Sequence, residues 1–208
     1  MHQVIHSDAI CQLGEGALWH PRRAALFWCD IPGGRLYESS AAGQRHWDFG
    51  RMISALGWID DRRLLVATER DIVCFDLTTG QEEALASLGA DRPDTRSNDG
   101  RADPSGGFWI GTMGKMAEPF AGTIYRYYKC VMHRLFDGIT ISNAICFAPD
   151  GRFACFSDTA SQQVRRVALD ADGWPEGEAE VWLDLSDEGL NPDGAVFARD
   201  GTFWNAQW

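Results

Sequence analysis

The chain has 208 residues, 45% of them hydrophobic and 24% charged, with 30 acids against 19 bases for a formal net charge of −11. Without a basic cluster, that charge repels a phosphate backbone and argues against nucleic acid as a partner. No run of 18 or more apolar residues marks a membrane span and no leader is legible at Met1-His2-Gln3-Val4, so the expectation is a soluble, cytoplasmic protein with no membrane partner.

Along the chain one phrase returns five times, a mostly polar residue directly before a small one that opens an apolar strand. It reads Glu15-Gly16, Leu56-Gly57, Asp99-Gly100, Asn143-Ala144 and Asp193-Gly194. The small residues recur roughly every 41–50 residues, the period of a small sheet repeated around a circular array. In the first repeat the strand runs into a turn at Pro21-Arg22-Arg23, then into strands at 26–29 and 35–38. The second turns at Asp60-Asp61-Arg62, with strands at 64–68 and 72–75, and the third at Asp103-Pro104-Ser105-Gly106-Gly107, with strands at 108–111 and 123–127. The fourth turns at Pro149-Asp150-Gly151 before strands at 153–157 and 164–167. The fifth turns at Arg199-Asp200-Gly201 before a strand at 202–205.

Gly in three of these turns accepts positive φ, and the Asp beside it can bond its own backbone, so they read as hairpin connections between aromatic-rich strands. Helix signals are almost absent, and the expected class is all-β, a β-propeller forming one domain over residues 1–208.

Several chemistries are excluded. No Gly-rich phosphate loop, G-x-S-x-G elbow or H-E-x-x-H occurs. His2, His6, His20, His46 and His133 are dispersed, and only the terminal His2 and His6 share helical spacing, which argues against a histidine zinc site. Cysteines 11, 29, 74, 130, 146 and 155 show no C-x-x-C spacing and read as reduced core thiols. Asp170-Ala171-Asp172-Gly173 lacks the remaining acids of a calcium loop and reads as a hairpin turn.

In a propeller the first strand of every repeat runs beside the central channel, so equivalent positions form a ring. Glu15, Asn143 and Asp193 would then offer two carboxylates and an amide oxygen, a set suited to a hard divalent cation. Leu56, at the same repeat position, cannot be a ligand, which leaves the ring asymmetric with an open face. For any single acid-Gly pair the plainer reading is a turn; five in register favour the ring.

The stretches Leu13-Gly14-Glu15-Gly16, Arg96-Ser97-Asn98-Asp99-Gly100, Phe108-Trp109-Ile110-Gly111-Thr112-Met113 and Asn191-Pro192-Asp193-Gly194 resemble the SMP-30/gluconolactonase family, which includes regucalcin. Ile141-Ser142-Asn143, Ala148-Pro149-Asp150-Gly151, Ser157-Asp158-Thr159 and Phe203-Trp204-Asn205-Ala206-Gln207-Trp208 extend the match along nearly the whole chain.

The resemblance implies a six-bladed propeller that hydrolyses sugar lactones to aldonic acids, with one divalent metal (Ca, Zn, Mn or Mg) held by Glu15, Asn143 and Asp193. It implies Arg96 and Asn98 as substrate-binding residues and places Glu118 in a segment where relatives carry a lid residue, although an exposed loop Glu is the plainer reading. Asp193 is the expected catalytic base as well as a ligand. Two other classes stay open: a related propeller esterase or organophosphate hydrolase, and a non-enzymatic calcium-binding propeller.

The chain departs from the family pattern twice. Ala144 stands where relatives have Gly, and six blades at about 45 residues each need roughly 270 residues. The expectation is therefore about four and a half blades, C-terminally incomplete, with oligomeric state unassigned.

Overall fold

The computed structural model describes residues 6–208; of the paired histidines, His2 lies outside them. Strands β1 (Gly14–His20), β2 (Ala25–Asp30), β3 (Arg35–Ser40) and β4 (Gly43–Asp48) form one antiparallel sheet in chain order. The second sheet holds β5 (Ile53–Trp58), β6 (Arg63–Thr68), β7 (Asp71–Asp76) and β8 (Glu82–Ser87). The third holds β9 (Thr95–Ala102), β10 (Phe108–Gly114), β11 (Gly122–Tyr128) and β12 (Val131–Ile139). The fourth holds β13 (Ser142–Phe147), β14 (Phe153–Asp158), β15 (Gln163–Leu169) and β16 (Pro175–Asp184), and β17 (Pro192–Phe197) pairs with β18 (Phe203–Gln207) in a two-stranded sheet.

The described residues thus hold four sheets of four strands and one of two. Among the described residues the helical content is one 3₁₀ turn, Thr159–Ser161, and no helix is long and apolar enough to cross a membrane.

The first strands of successive sheets touch in order, β1 on β5, β5 on β9, β9 on β13 and β13 on β17, so the repeat phrases line one axis. Between sheets lies the core. Phe27, Leu36, Ile53, Leu64 and Phe75 fill the space between the first and second blades, and Trp109, Ile124, Ile145 and Phe156 fill that between the third and fourth. Burying each such side chain contributes about 1.5–3 kcal/mol.

The fourth strand of each blade is its polar rim. Gly43–Asp48 reads GQRHWD and Glu82–Ser87 reads EEALAS, both mostly exposed. The sequence reading stopped at three strands per blade because these rim strands carry charge where a strand signal needs alternating apolar residues.

A buried ion pair inside the third blade also reaches the fourth, where Arg126 Nη2 donates to the Asp172 carbonyl at 2.9 Å. Arg126 Nε meets Asp103 Oδ2 at 2.7 Å with both side chains fully buried, and the guanidinium lies 4.3 Å from the ring centroids of Tyr128 and Trp174. The Asp170–Gly173 segment is the hairpin turn expected, with Asp170 Oδ1 accepting from the Asp172 and Trp174 N–H groups at 2.9 and 2.8 Å. All six cysteines are free; Cys29, Cys74, Cys146 and Cys155 are buried as expected, whereas Cys130 is exposed because it occupies the β11–β12 turn at φ 63°.

Candidate active site

Each axial strand departs from regular pairing, and on four of them the departure falls at the repeat phrase. On β5, Leu56 and Gly57 are regularly paired and the shift falls at 53–55, so the sequence reading placed that blade's ring position too late. The shifts fall between Glu15 and Leu18, Ile53 and Ala55, Asn143 and Cys146, and Pro192 and Ala195, and on β9 between Ser97 and Gly100 opposite Thr112 and Ile110. A bulge adds a residue to one strand, bends it and re-aims its side chains. The bulges thus turn the phrase residues of β1, β9, β13 and β17 out of the sheet pattern.

The small residue after each site residue has a local cause in two places. Gly16 adopts φ +66°, and a Cβ there would stand 2.5 Å from the Ser54 carbonyl oxygen of the next blade. Ala144 adopts nearly the same conformation, φ 54°, although it has a methyl group, so the backbone that presents Asn143 matches the one that presents Glu15. An L-residue there costs roughly 1–2 kcal/mol. Its methyl is fully buried with Cys146, Cys155, Val164 and Ala195, which offsets part of that cost. Gly194 has open space around its missing Cβ and needs no such explanation.

Electrostatics unite the acids. Glu15 is pushed up to about 7, first by burial, then by the charges of Asp193 and Asp99, against the Gly16 N–H and the Arg96 guanidinium, which pull it down. Burial also raises Asp193, countered by the Gly194 N–H. Asp99 is raised by burial and held back by Arg101 and by the Ile145 N–H, which reaches its Oδ2 at 2.8 Å. Arg96 is lowered by burial, with Glu15 countering. Three acids thus crowd two arginines, and negative charge is left in excess.

A cavity of about 770 Å³ runs between the axial strands, with Glu15, Asp99, Arg101 and Gly194 in its wall and Trp58 and Trp204 among its apolar lining. Beside it, Arg96 Nη1 donates to Asn98 Oδ1 at 2.8 Å, and Asn98 Nδ2 donates to Asn143 Oδ1 at 3.0 Å and to the Ser142 carbonyl at 2.9 Å. Asn143 Nδ2 donates in turn to Thr159 Oγ1 at 2.9 Å.

Arg96, Asn98 and Asn143 therefore form one bonded group, and Arg96 joins it electrostatically to Glu15 and through Glu15 to Asp193. Among the described residues no three His, Cys, Asp or Glu side chains are grouped to hold a metal; the expected donor set has two carboxylates and takes its third oxygen from an amide. Glu118 is exposed and turns back on its own loop, where Oε2 accepts the Met116 N–H at 3.0 Å.

Residues 13–208 match the family model described as the SMP-30/gluconolactonase/LRE-like region. The chain belongs to the SMP-30/gluconolactonase/LRE-like family. Among its relatives in that family, L-arabinolactonase from Azospirillum brasilense is 35% identical over 97% of this chain and 69% of its own. The 6-deoxy-6-sulfogluconolactonase of Pseudomonas putida is 30% identical over 94% and 68%. A crystal structure from Agrobacterium tumefaciens, titled a calcium-binding protein, regucalcin, superposes with a TM-score of 0.94 at 40% identity, covering 97% of this chain and 70% of its own.

Within this SMP-30/gluconolactonase/LRE-like chain, sequence reasoning assigned no role to Asp99, Arg101 or Thr159. Asp99 could have been found, since Asp99-Gly100 is one of the five repeats of the phrase. Thr159 carries no such signal: it lies in the 3₁₀ turn after β14, and only the fold brings it to Asn143.

Proposed function

We propose that this protein hydrolyses sugar lactones to aldonic acids with one divalent metal ion held by Glu15, Asn143 and Asp193. The observation that carries the reading is the state of Glu15. Glu15 lines the axial cavity, and its carboxylate is raised to about 7 by burial and by two neighbouring acids, a surplus of negative charge that a cation would relieve. Two carboxylates and an amide oxygen are hard donors, which fits Ca, Mg or Mn and is compatible with Zn. The lactonase names of the relatives support the substrate class, and the calcium-binding neighbour supports a hard cation.

When bound there, the cation supplies Lewis-acid polarisation of the lactone carbonyl. Asp193 takes the proton from water as the water oxygen bonds to the carbonyl carbon. The ring C–O bond then breaks, and the proton held by Asp193 passes to the departing ring oxygen, leaving a carboxylic acid and a hydroxyl. Arg96 has Nη1 occupied by Ser97 O and Asn98 Oδ1, and its other N–H groups are the donors for oxygens of the sugar. Asn98 has both Nδ2 protons engaged, by Ser142 O and Asn143 Oδ1, so toward substrate it offers an Oδ1 lone pair and accepts from a hydroxyl.

The test is acid release from a panel of pentono- and hexonolactones by metal-stripped protein, with Ca, Mg, Mn and Zn added back singly. Turnover that disappears on stripping and returns with a metal, and that exceeds turnover of aryl esters, is the expected result. Lactone turnover that metal removal leaves unchanged would reject the proposal.

A further inference from the structure

The bonds between Arg96 and β17 form a single directed chain whose sense is fixed at both ends. At one end Arg96 can only donate, so Asn98 must present Oδ1 to it and Nδ2 to Asn143. At the other end the Pro192 carbonyl can only accept, and it takes the Thr159 hydroxyl proton at 2.7 Å. With its one proton so used, Thr159 Oγ1 meets Asn143 as an acceptor, and the group it receives at 2.9 Å must be Nδ2. Both ends therefore demand the same orientation of the Asn143 amide, with nitrogen toward Thr159 and oxygen toward Asn98.

Thr159 is itself anchored. It is buried, its N–H donates to the Ile141 carbonyl at 3.0 Å, and it follows Asp158, whose carboxylate accepts from Thr140 N, Ile141 N and Ala160 N at 2.8, 2.9 and 3.2 Å. Asp158 thereby clamps the β13 entry and the 3₁₀ turn into one unit, and Thr159 bridges that unit to the residue preceding Asp193.

We propose that Thr159 is a positioning residue for the cation site, holding the Asn143 amide in the orientation that offers oxygen to a metal ion and fixing the Pro192 carbonyl beside Asp193. This rests on the assignment of Asn143 as a metal ligand. A flipped Asn143 would present two N–H protons to a cation and lose the ligand. Partners that orient a metal ligand without touching the metal are commonly worth 10–100-fold in affinity.

The experiment titrates Ca²⁺ calorimetrically into metal-free protein carrying Thr159→Val, Thr159→Ser or Asn143→Ala, with the melting temperature of each metal-free protein measured alongside. Thr159→Val should weaken Ca²⁺ binding about 10–100-fold and Thr159→Ser should restore it to within about threefold of the parent. A folded Thr159→Val protein with parental affinity, in a series where Asn143→Ala loses binding, would overturn the role of Thr159 alone. An Asn143→Ala protein with parental affinity would overturn the ligand assignment, and the role of Thr159 with it.

A measurement on the unsubstituted protein decides the matter should the valine variant fail to fold. The Asn143 side-chain amide protons, bonded to a buried hydroxyl, should exchange with solvent far more slowly by NMR than those of an exposed Asn, with and without Ca²⁺. Exchange at the rate of a free amide would contradict the proposal.

Discussion

Glu15 of the first blade and Asp193 of the fifth share one electrostatic site, and the charge on Asp193 is the largest contribution after burial to holding Glu15 near 7. Burial raises Asp193 as well, countered by the Gly194 N–H. The folded state therefore favours protonated Glu15. In metal-free protein this group contributes most to stability below its unfolded value near 4.5, and that contribution is lost as pH rises toward about 7. A cation requires the ionised form, so its affinity moves the other way. Ca²⁺ affinity should tighten by up to about tenfold per pH unit below 7 and level off above it. Glu15→Gln should bind weakly with a flatter profile, as calorimetry between pH 5.5 and 8.5 would show.

Arg96 opposes that shift, being the nearby positive charge that lowers Glu15. Arg96→Met should move the midpoint of the Ca²⁺ affinity profile above 7. It should also raise KM for a lactone by about tenfold or more, through loss of a charge-assisted donor worth roughly 1.5–3 kcal/mol. An unchanged midpoint with an unchanged KM would place Arg96 outside the site.

Gly16→Ala should destabilise the protein by about 2 kcal/mol or more, because φ +66° penalises any Cβ and this one would meet the Ser54 carbonyl at 2.5 Å. Ala144→Gly should change stability by less than about 1 kcal/mol, since relief of the same strain is offset by loss of a buried methyl. Urea denaturation of the two variants separates these outcomes.

The Asp103–Arg126 pair gives a test away from the site. Asp103→Ala leaves a buried guanidinium uncompensated, and a loss of about 3–5 kcal/mol is expected. The loss should appear in thermal unfolding at every pH from 6 to 8, without a change in Ca²⁺ affinity.

How far the sequence could be read follows from where each signal resides. The axial strands were legible because their phrase repeats and their apolar residues are contiguous, as in Ser142–Phe147, buried along its whole length. The rim strands were not, since a strand such as PEGEAEVWLD buries so little that composition reads it as loop. Glu15, Asn143 and Asp193 were legible because each stands in a repeat phrase at a bulge of its axial strand, whereas the phrase at Leu56 was misplaced, since the bulge of β5 falls at 53–55. What the sequence could not show is hydrogen-bond direction. That both protons of the Asn98 amide are engaged depends on a contact between the third and fourth blades, and that Thr159 meets Asn143 depends on the pairing of β13 with β14.

The decisive measurement pairs Ca²⁺ titration with lactone hydrolysis in the same preparations of the parent and of Asp193→Asn, a substitution that keeps shape and removes charge. If Asp193 is both ligand and base, the folded variant should lose measurable Ca²⁺ binding and at least about 100-fold in hydrolysis, with its metal-free melting temperature preserved. A folded Asp193→Asn protein that binds Ca²⁺ and turns over lactone like the parent would contradict the site at its centre.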